Sequence, residues 1–217
     1  IYGFDPADLP KQFVEGYKPI LQQKRGAGYW IWRPVILNKV LKKMKEGEFL
    51  VYMDAGSKLN PLGKKRFFEY IDMLDQSEYG TLSIQMSGKR GAGDYLSDRD
   101  WTIGRIFKKL EISVDSEDAK SGQLLGGIFI IKKCKQLEKY MERYSSFIFK
   151  HPDLCTDMYN KEKQHSGFRE NRHEQSVSSL IRKQMGTVIV DADETFMIPF
   201  GKGESLDYPF WATRSKS

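Results

Sequence analysis

The sequence predicts an α/β fold in which an open, mostly parallel central sheet is flanked by helices. Three observations predict it. Short apolar runs suited to buried strands (EFLVYM, TLSIQM, LLGGIFIIKK and TVIV) alternate with longer segments whose apolar residues recur at helical spacing. The 217 residues suffice for one domain with a full core, and nothing divides them cleanly. No internal repeat, heptad run or low-complexity tract points to another architecture.

The elements follow in order. Ile1-Tyr2 reads as the tail of a strand and no initiator methionine precedes it, so the domain, taken as residues 1–217, is expected to lack its first strand and to belong to a longer chain. The basic ending WATRSKS suits the start of a linker. A helix opens at Pro34 and carries Val35, Ile36, Val40, Leu41 and Met44 at helical spacing until Gly47. EFLVYM is an almost continuous apolar run, as for a strand buried on both faces of a parallel sheet. A helix over about Lys64 to Leu74 and the strand TLSIQM come next. The glycine-rich, charged SGKRGAGDYLSDRDW is either a loop that closes over a ligand or an exposed connection. After a helix through TIGRIFKKL, the strand LLGGIFIIKK holds a Gly-Gly pair, which weakens a strand unless backbone or ligand must approach closely there. KCKQLEKYMERYSSFIF and ENRHEQSVSSLIRKQM are the last long helices, and TVIV the last strand.

Composition narrows the class. Lys+Arg 35 against Asp+Glu 29 gives a net charge of +6, but the lysines are scattered, which suits a solvated surface before it suits any anionic partner. Cys134 and Cys155 make no disulfide framework, and with His151, His165 and His173 they form no zinc-spaced cluster. No apolar run approaches the roughly 20 residues of a spanning helix, and no leader is present. A soluble protein of a reducing, cytoplasmic compartment is expected.

Open α/β sheets bind ligands outside the carboxyl ends of their strands. Asp54, in LVYMDAGS, stands at such an end, with Gly56 allowing the main chain near phosphate oxygens, although an aspartate opening a turn is the commoner reading. Asp191 and Asp193, in TVIVDADETF, also follow a strand; with Glu194 they form an alternative metal site or an acidic turn. In KRGAGYWIWRP, Tyr29, Trp30 and Trp32 surround a flexible Gly-Ala-Gly. The aromatics can stack on sugars or bases, or at least one tryptophan anchors the core, while Arg25 and Arg33 require partners. Glu174 shares a helical stripe with Val177 and Ile181, so its carboxylate points inward as a catalytic group, unless it serves as an N-terminal cap favoured by the helix dipole. His173, on an adjoining part of the same helix, is a candidate metal or phosphate ligand.

RGAGYWIWRP, LVYMDAGS, Asp100-Trp101, SGQLLGGIFIIKK and NRHEQSVSSL, taken in order over about residues 20–190, resemble a family of A-type glycosyltransferases from bacterial polysaccharide clusters and large algal viruses, the chlorella virus type in particular. The resemblance implies a Rossmann-like GT-A fold, a UDP-sugar donor, Mn2+ or Mg2+, and transfer of a hexose or deoxyhexose, of glucose or rhamnose type, to a glycan hydroxyl with retention. Host cytoplasm is implied if the source is viral. Asp54 would be the first acid of a variant D-x-D, with Gly56 in place of the second. Arg25, Trp30, Arg33, Asp54, Ala55, Gly56, Gln123, Gly126 and Gly127 would bind the donor. Asp54 and His173 would hold the metal, and Glu174 and Asp54 would be catalytic. The rivals are an inactive glycan- or nucleotide-sugar-binding module, for which the incomplete D-x-D argues, and a nucleic-acid-binding protein, for which the basic balance argues.

Overall fold

The computed structural model describes residues 1–86, 96–158 and 163–214. It opens with short helices, α1 (Lys11–Gly16), α2 (Lys18–Leu21), the single turn α3 (Gly26–Tyr29) and α4 (Arg33–Leu41). There follow β1 (Phe49–Met53), β2 (Lys58–Leu59), α5 (Lys64–Asp75), β3 (Thr81–Gln85), α6 (Gly104–Leu110), α7 (Glu117–Lys120), β4 (Leu124–Lys132), α8 (Lys135–Lys150), α9 (Glu174–Met185), β5 (Val188–Val190) and β6 (Phe210–Trp211). Each strand expected over the four apolar runs forms, and helices separate them, so the fold is mixed α/β.

The sheet is not mostly parallel. Its order is β1-β4-β3-β5; β4 pairs antiparallel with both β1 and β3, and only β3 and β5 pair parallel. The pairings make β1, β3 and β5 run one way, with β4 inserted against them. Alternating strands and helices fix how many strands there are but not which ones become neighbours, and the long connection from Gln85 to Leu124 brings the chain back in at the end of the sheet it left, where those two residues pair. As an edge strand, β1 is half-buried rather than covered on both faces. Ile1 and Tyr2 are exposed and lie in no strand, since no ladder reaches them.

The core divides on the two faces of the sheet. Phe129 and Ile131 of β4 pack with Leu37, Phe107, Tyr140, Tyr144, Ile148, Val177 and Ile181, beneath α4, α6, α8 and α9. Ile128 and Ile130 point the other way, to Tyr70 and Leu74 of α5 with Leu82, Ile84 and Phe210. This is the period-two alternation of a strand covered on both sides. It breaks at the glycine pair: Ser83 pairs with Phe129 but Gln85 with Leu124, so two steps along β3 span five along β4. Gly126 and Gly127 form that bulge, and it sits at the sheet edge where β1, β3 and β5 end.

Residues 87–95 of the expected loop lie outside the described residues. Its remainder is packed: Asp98 is fully buried, and the Asp98 and Arg99 amides donate to Ser121 and Ala119 carbonyls. The last helix starts later than the pattern predicts. His173 has φ 60° and ψ −129°, so it caps α9 instead of lying within it, and Glu174 becomes the first helical residue.

Candidate functional site

At the carboxyl edge of the sheet the main chain turns sharply after Met53. The Asp54 carbonyl accepts the Ser57 amide at 2.9 Å, and the Asp54 amide donates to the Gly127 carbonyl of β4 at 2.8 Å. Asp54 is therefore a turn residue, as its sequence context favours, but its carboxylate is also engaged. Oδ1 accepts the Tyr52 hydroxyl at 2.8 Å and lies 3.4 Å from Nη2 of Arg33. Oδ2 accepts no hydrogen bond among the described residues, and the side chain is 37% exposed. A Cβ on Gly127 would stand 2.7 Å from Oδ2, and one on Gly126 would stand 3.0 Å from Nη1 of Arg33. The glycine pair thus leaves the space that Asp54 and Arg33 occupy, which is why this strand tolerates it.

Arg33 is the first residue of α4, where Pro34 is accommodated without a lost hydrogen bond. Its side chain is buried and lies 5.0 Å above the Tyr52 ring. Besides Asp54 it meets Oε2 of Glu174 in a buried ion pair. Burial opposes its charge, but the Tyr52 and Asp54 oxygens outweigh that and hold the guanidinium above its ordinary pKa. Its Nε has no acceptor among the described residues. Glu174 is completely buried at the N-terminus of α9, where the helix dipole favours a negative charge. Its Oε1 accepts a hydrogen bond from the Tyr144 hydroxyl. Burial keeps both phenols neutral, pushing Tyr52 up to about 12 and Tyr144 well above its usual value, so each donates.

A relay of amides backs this pair. The Gly126 amide donates to Oε1 of Gln175 at 2.9 Å, Nε2 of Gln175 to Oε1 of Gln123 at 2.6 Å, and Nε2 of Gln123 to Asp98 at 2.9 Å. Asp98 is held in turn by the Ser179 hydroxyl and by a buried ion pair with Lys183, both on α9. Gln123, expected beside a donor sugar, is fully buried and fixes Gln175 and the β4 bulge instead.

A second cluster surrounds α3. Gly26, Ala27, Gly28, Tyr29 and Trp30 all have positive φ, between 46° and 97°, and the Tyr29 amide donates to the Arg25 carbonyl at 2.8 Å. The Gly-Ala-Gly expected to be flexible is a fixed left-handed turn. Each of its non-glycine residues costs about 1–2 kcal/mol. Packing holds it: a Cβ on Gly28 would meet Leu21 Cα at 2.7 Å, and Nε1 of Trp32 donates to the Gly26 carbonyl. Trp30 and Trp32 are half-buried, so the core anchors of this segment are Tyr29 and Ile31. Tyr29 stacks on His173 with centroids 4.9 Å apart. Asp157 accepts the Tyr29 hydroxyl at 3.0 Å and meets Nε2 of His173 at 2.8 Å. Arg25 pairs with Glu170 and, at 3.5 Å, with Asp157. Burial lowers the His173 pKa despite Asp157, so the ring is neutral at pH 7.

Arg33, Asp54, Gly126, Gly127, Gln123 and Glu174 therefore come together, while Arg25, Trp30 and His173 form the neighbouring cluster around Asp157. Ala55 and Gly56 continue the Asp54 turn; Ala55 is exposed, and the Gly56 carbonyl accepts the Thr213 hydroxyl at 2.7 Å. The two expected metal ligands belong to different clusters: Asp54 is held by Arg33 and Tyr52, His173 by Asp157. Among the described residues no group of three or more His, Cys, Asp or Glu is placed to hold a metal ion. Asp191 accepts Nε2 of Gln85 at 2.7 Å, Asp193 accepts the Thr195 hydroxyl at 2.6 Å, and Glu194 receives Arg66 in a two-pronged pair together with the Tyr70 hydroxyl. Sequence reading missed Tyr52, Tyr144, Asp157 and Gln175. Tyr144 left a signal, since a tyrosine on the buried stripe of α8 with Tyr140, Met141 and Ile148 needs a hydrogen-bond acceptor.

Comparison of the chain with protein-family profiles, with curated proteins and with solved structures gives no match.

Proposed function

We propose that the chain is a glycosyltransferase that moves a hexose or deoxyhexose from a UDP-sugar to a glycan hydroxyl. The observation that carries this reading is Asp54. It is a half-exposed carboxylate at the end of β1 with one oxygen uncommitted, seated over a glycine pair and facing the Arg33–Glu174 pair. Magnesium and manganese suit such a place, because these ions keep waters and take one or two protein carboxylates when substrate phosphates supply the rest. Asp54 would be the protein ligand for that ion, with His173 left to its own cluster, and the ion's chemistry would be to offset charge on the departing diphosphate.

The reaction breaks the bond between the sugar C1 and the diphosphate oxygen and forms one from C1 to the acceptor oxygen, whose proton passes to the departing diphosphate. The pair goes to the diphosphate, which departs as UDP. Arg33 is the basic group beside Asp54 that would share the leaving group's charge. Glu174 would be the carboxylate that stabilises positive charge at C1, as a retaining reaction needs. In the described state its oxygens are taken by Arg33 and Tyr144, so a substrate anion that draws Arg33 away would release it.

That enclosure favours a second reading, a nucleotide-sugar-binding module without turnover. Calorimetric titration of UDP with manganese, with EDTA, and on Asp54→Asn tests the first. Metal-dependent binding that disappears in the variant is expected; equal binding by the variant would remove the site from Asp54. Release of UDP from UDP-glucose or UDP-rhamnose separates enzyme from module.

A further inference from the structure

The stretch Lys58–Phe68 follows the Asp54 turn directly, and neither proposed chemistry uses it. It reads KLNPLGKKRFF, with four basic residues and no acid. The structure turns it outward. Leu59, Leu62 and Phe68 are 64, 71 and 51% exposed, a solvent exposure that large apolar side chains rarely keep so close together along a chain. They project from three successive pieces of backbone: β2, the short turn of helix at Pro61–Gly63, and α5. The backbone beneath them is rigid. Asn60 is buried and donates to the Leu206 and Tyr208 carbonyls at 2.9 Å, its oxygen caps Leu62, and a Cβ on Gly63 would fall 2.3 Å from Tyr208. The exposure is therefore imposed by the fold and is not slack in a loose loop.

Lys58, Lys64 and Lys65 are exposed beside them, and none has a carboxylate partner among the described residues. Lys64 lies 5.8 Å from the centre of the Phe68 ring. Only Arg66 is neutralised, by Glu69 and Glu194. Exposed apolar side chains interspersed along the chain with lysines that lack a carboxylate partner among the described residues suit a small-molecule cleft or a dry, uncharged protein interface poorly. They suit a surface that is apolar below and anionic above, where each apolar side chain enters alone and each lysine stays at the charged level.

We propose that Lys58–Phe68 is a membrane-docking ridge for anionic lipid. It holds the Asp54 edge of the sheet close to a bilayer surface without any spanning segment; no helix among the described residues is long and apolar enough to cross a membrane. The proposal rests on exposure and charge and stands whether or not the chain transfers sugars.

The test is co-sedimentation of the protein with vesicles of phosphatidylcholine, alone or mixed with phosphatidylglycerol, for the wild type, Leu62→Ser/Phe68→Ser and Lys64→Gln/Lys65→Gln. Binding is expected on the anionic vesicles only, weakening with salt, and falling by about fivefold or more in each double variant. All four side chains are exposed, so both variants should melt as the wild type does. In Phe68→Trp, emission should shift to the blue on anionic vesicles as the ring leaves water. Absence of binding to anionic vesicles overturns the proposal. So does binding lost in the lysine variant but kept in the apolar one, which would be charge adhesion alone. Equal, apolar-dependent binding to soluble polyglutamate would assign the ridge to an acidic polypeptide instead.

Discussion

Two acidic turns follow strands in this chain, and they use their acids differently. After β1, the Asp54 side chain is 37% exposed, with Oδ1 held by Arg33 and Tyr52 and Oδ2 accepting no hydrogen bond among the described residues. After β5, the Asp191–Glu194 turn spends two of its three acids on the protein itself and leaves Asp191 exposed, with Oδ1 accepting Nε2 of Gln85. Asp193 and Glu194 are buried, one satisfying Thr195 and the other clamping Arg66 and Tyr70 of α5. Hydrogen bonding to Glu194 raises the Arg66 pKa, and burial together with Glu194 raises that of Tyr70, as for a locked structural pair. The richer acidic motif thus keeps one exposed carboxylate, that of Asp191. What distinguishes the accessible aspartate of each turn is its neighbour, the Arg33 guanidinium at Asp54 and the neutral Gln85 amide at Asp191, which a count of acids along the chain does not measure.

Breaking each side of that contrast should give different signatures. The largest loss of stability is expected for Glu174→Ala, which strands Arg33 in the core. Removing one member of a buried ion pair costs about 3–5 kcal/mol, read as a lower urea midpoint. UDP binding should fall with it, because Arg33 loses its support. Glu194→Ala strands Arg66 and Tyr70 less severely, since Arg66 is partly exposed, and should cost about 2–3 kcal/mol. Its folded fraction should bind UDP and manganese as the wild type does. A Glu194 variant that stayed stable but lost metal-dependent binding would reverse the assignment of the two turns.

Gly127→Ala sharpens the contrast at its closest point. The new methyl would stand 2.7 Å from Oδ2 of Asp54, so the carboxylate must move. A cost of about 1–3 kcal/mol is expected, with UDP–manganese affinity reduced more than stability. The smallest effect lies in the neighbouring cluster. His173 has a folded pKa below its ordinary value of 6.5, chiefly through burial. As pH falls through about 6.5 the unfolded chain takes up a proton that the folded chain refuses, so stability falls from there down to the folded pKa. Above that range His173 contributes no slope. The urea midpoint of His173→Gln should therefore change less between about pH 7.5 and pH 5.5 than that of the wild type.

Part of this was legible in advance. The strands over EFLVYM, TLSIQM, LLGGIFIIKK and TVIV were readable because apolar runs bounded by turn residues are a local property. So was the inward direction of Glu174, three and seven residues ahead of Val177 and Ile181 on one stripe. Arg33 needed a partner because it stands among large aromatics, and it has two. The left-handed turn at 26–30 was not readable, since its three non-glycine residues adopt a conformation they disfavour locally and are held by Leu21, Asp157 and His173 from elsewhere. His173 was placed on the helix because its own φ of 60° leaves no mark in the sequence.

The sequence by itself determined the alternation of strands and helices, the two acidic turns, and the glycine pair that had to admit a close neighbour. Those features depend on residues near one another in the chain, where side-chain period and turn chemistry decide. Only the tertiary structure decided that β4 runs against its neighbours, that Asp54 meets Arg33 while His173 meets Asp157, and that Glu194 closes on α5. Those outcomes depend on which distant groups desolvate one another, with Glu194 and Arg66, for example, 128 residues apart in the chain. Burial sets their free energy, and burial exists only once the sheet has assembled.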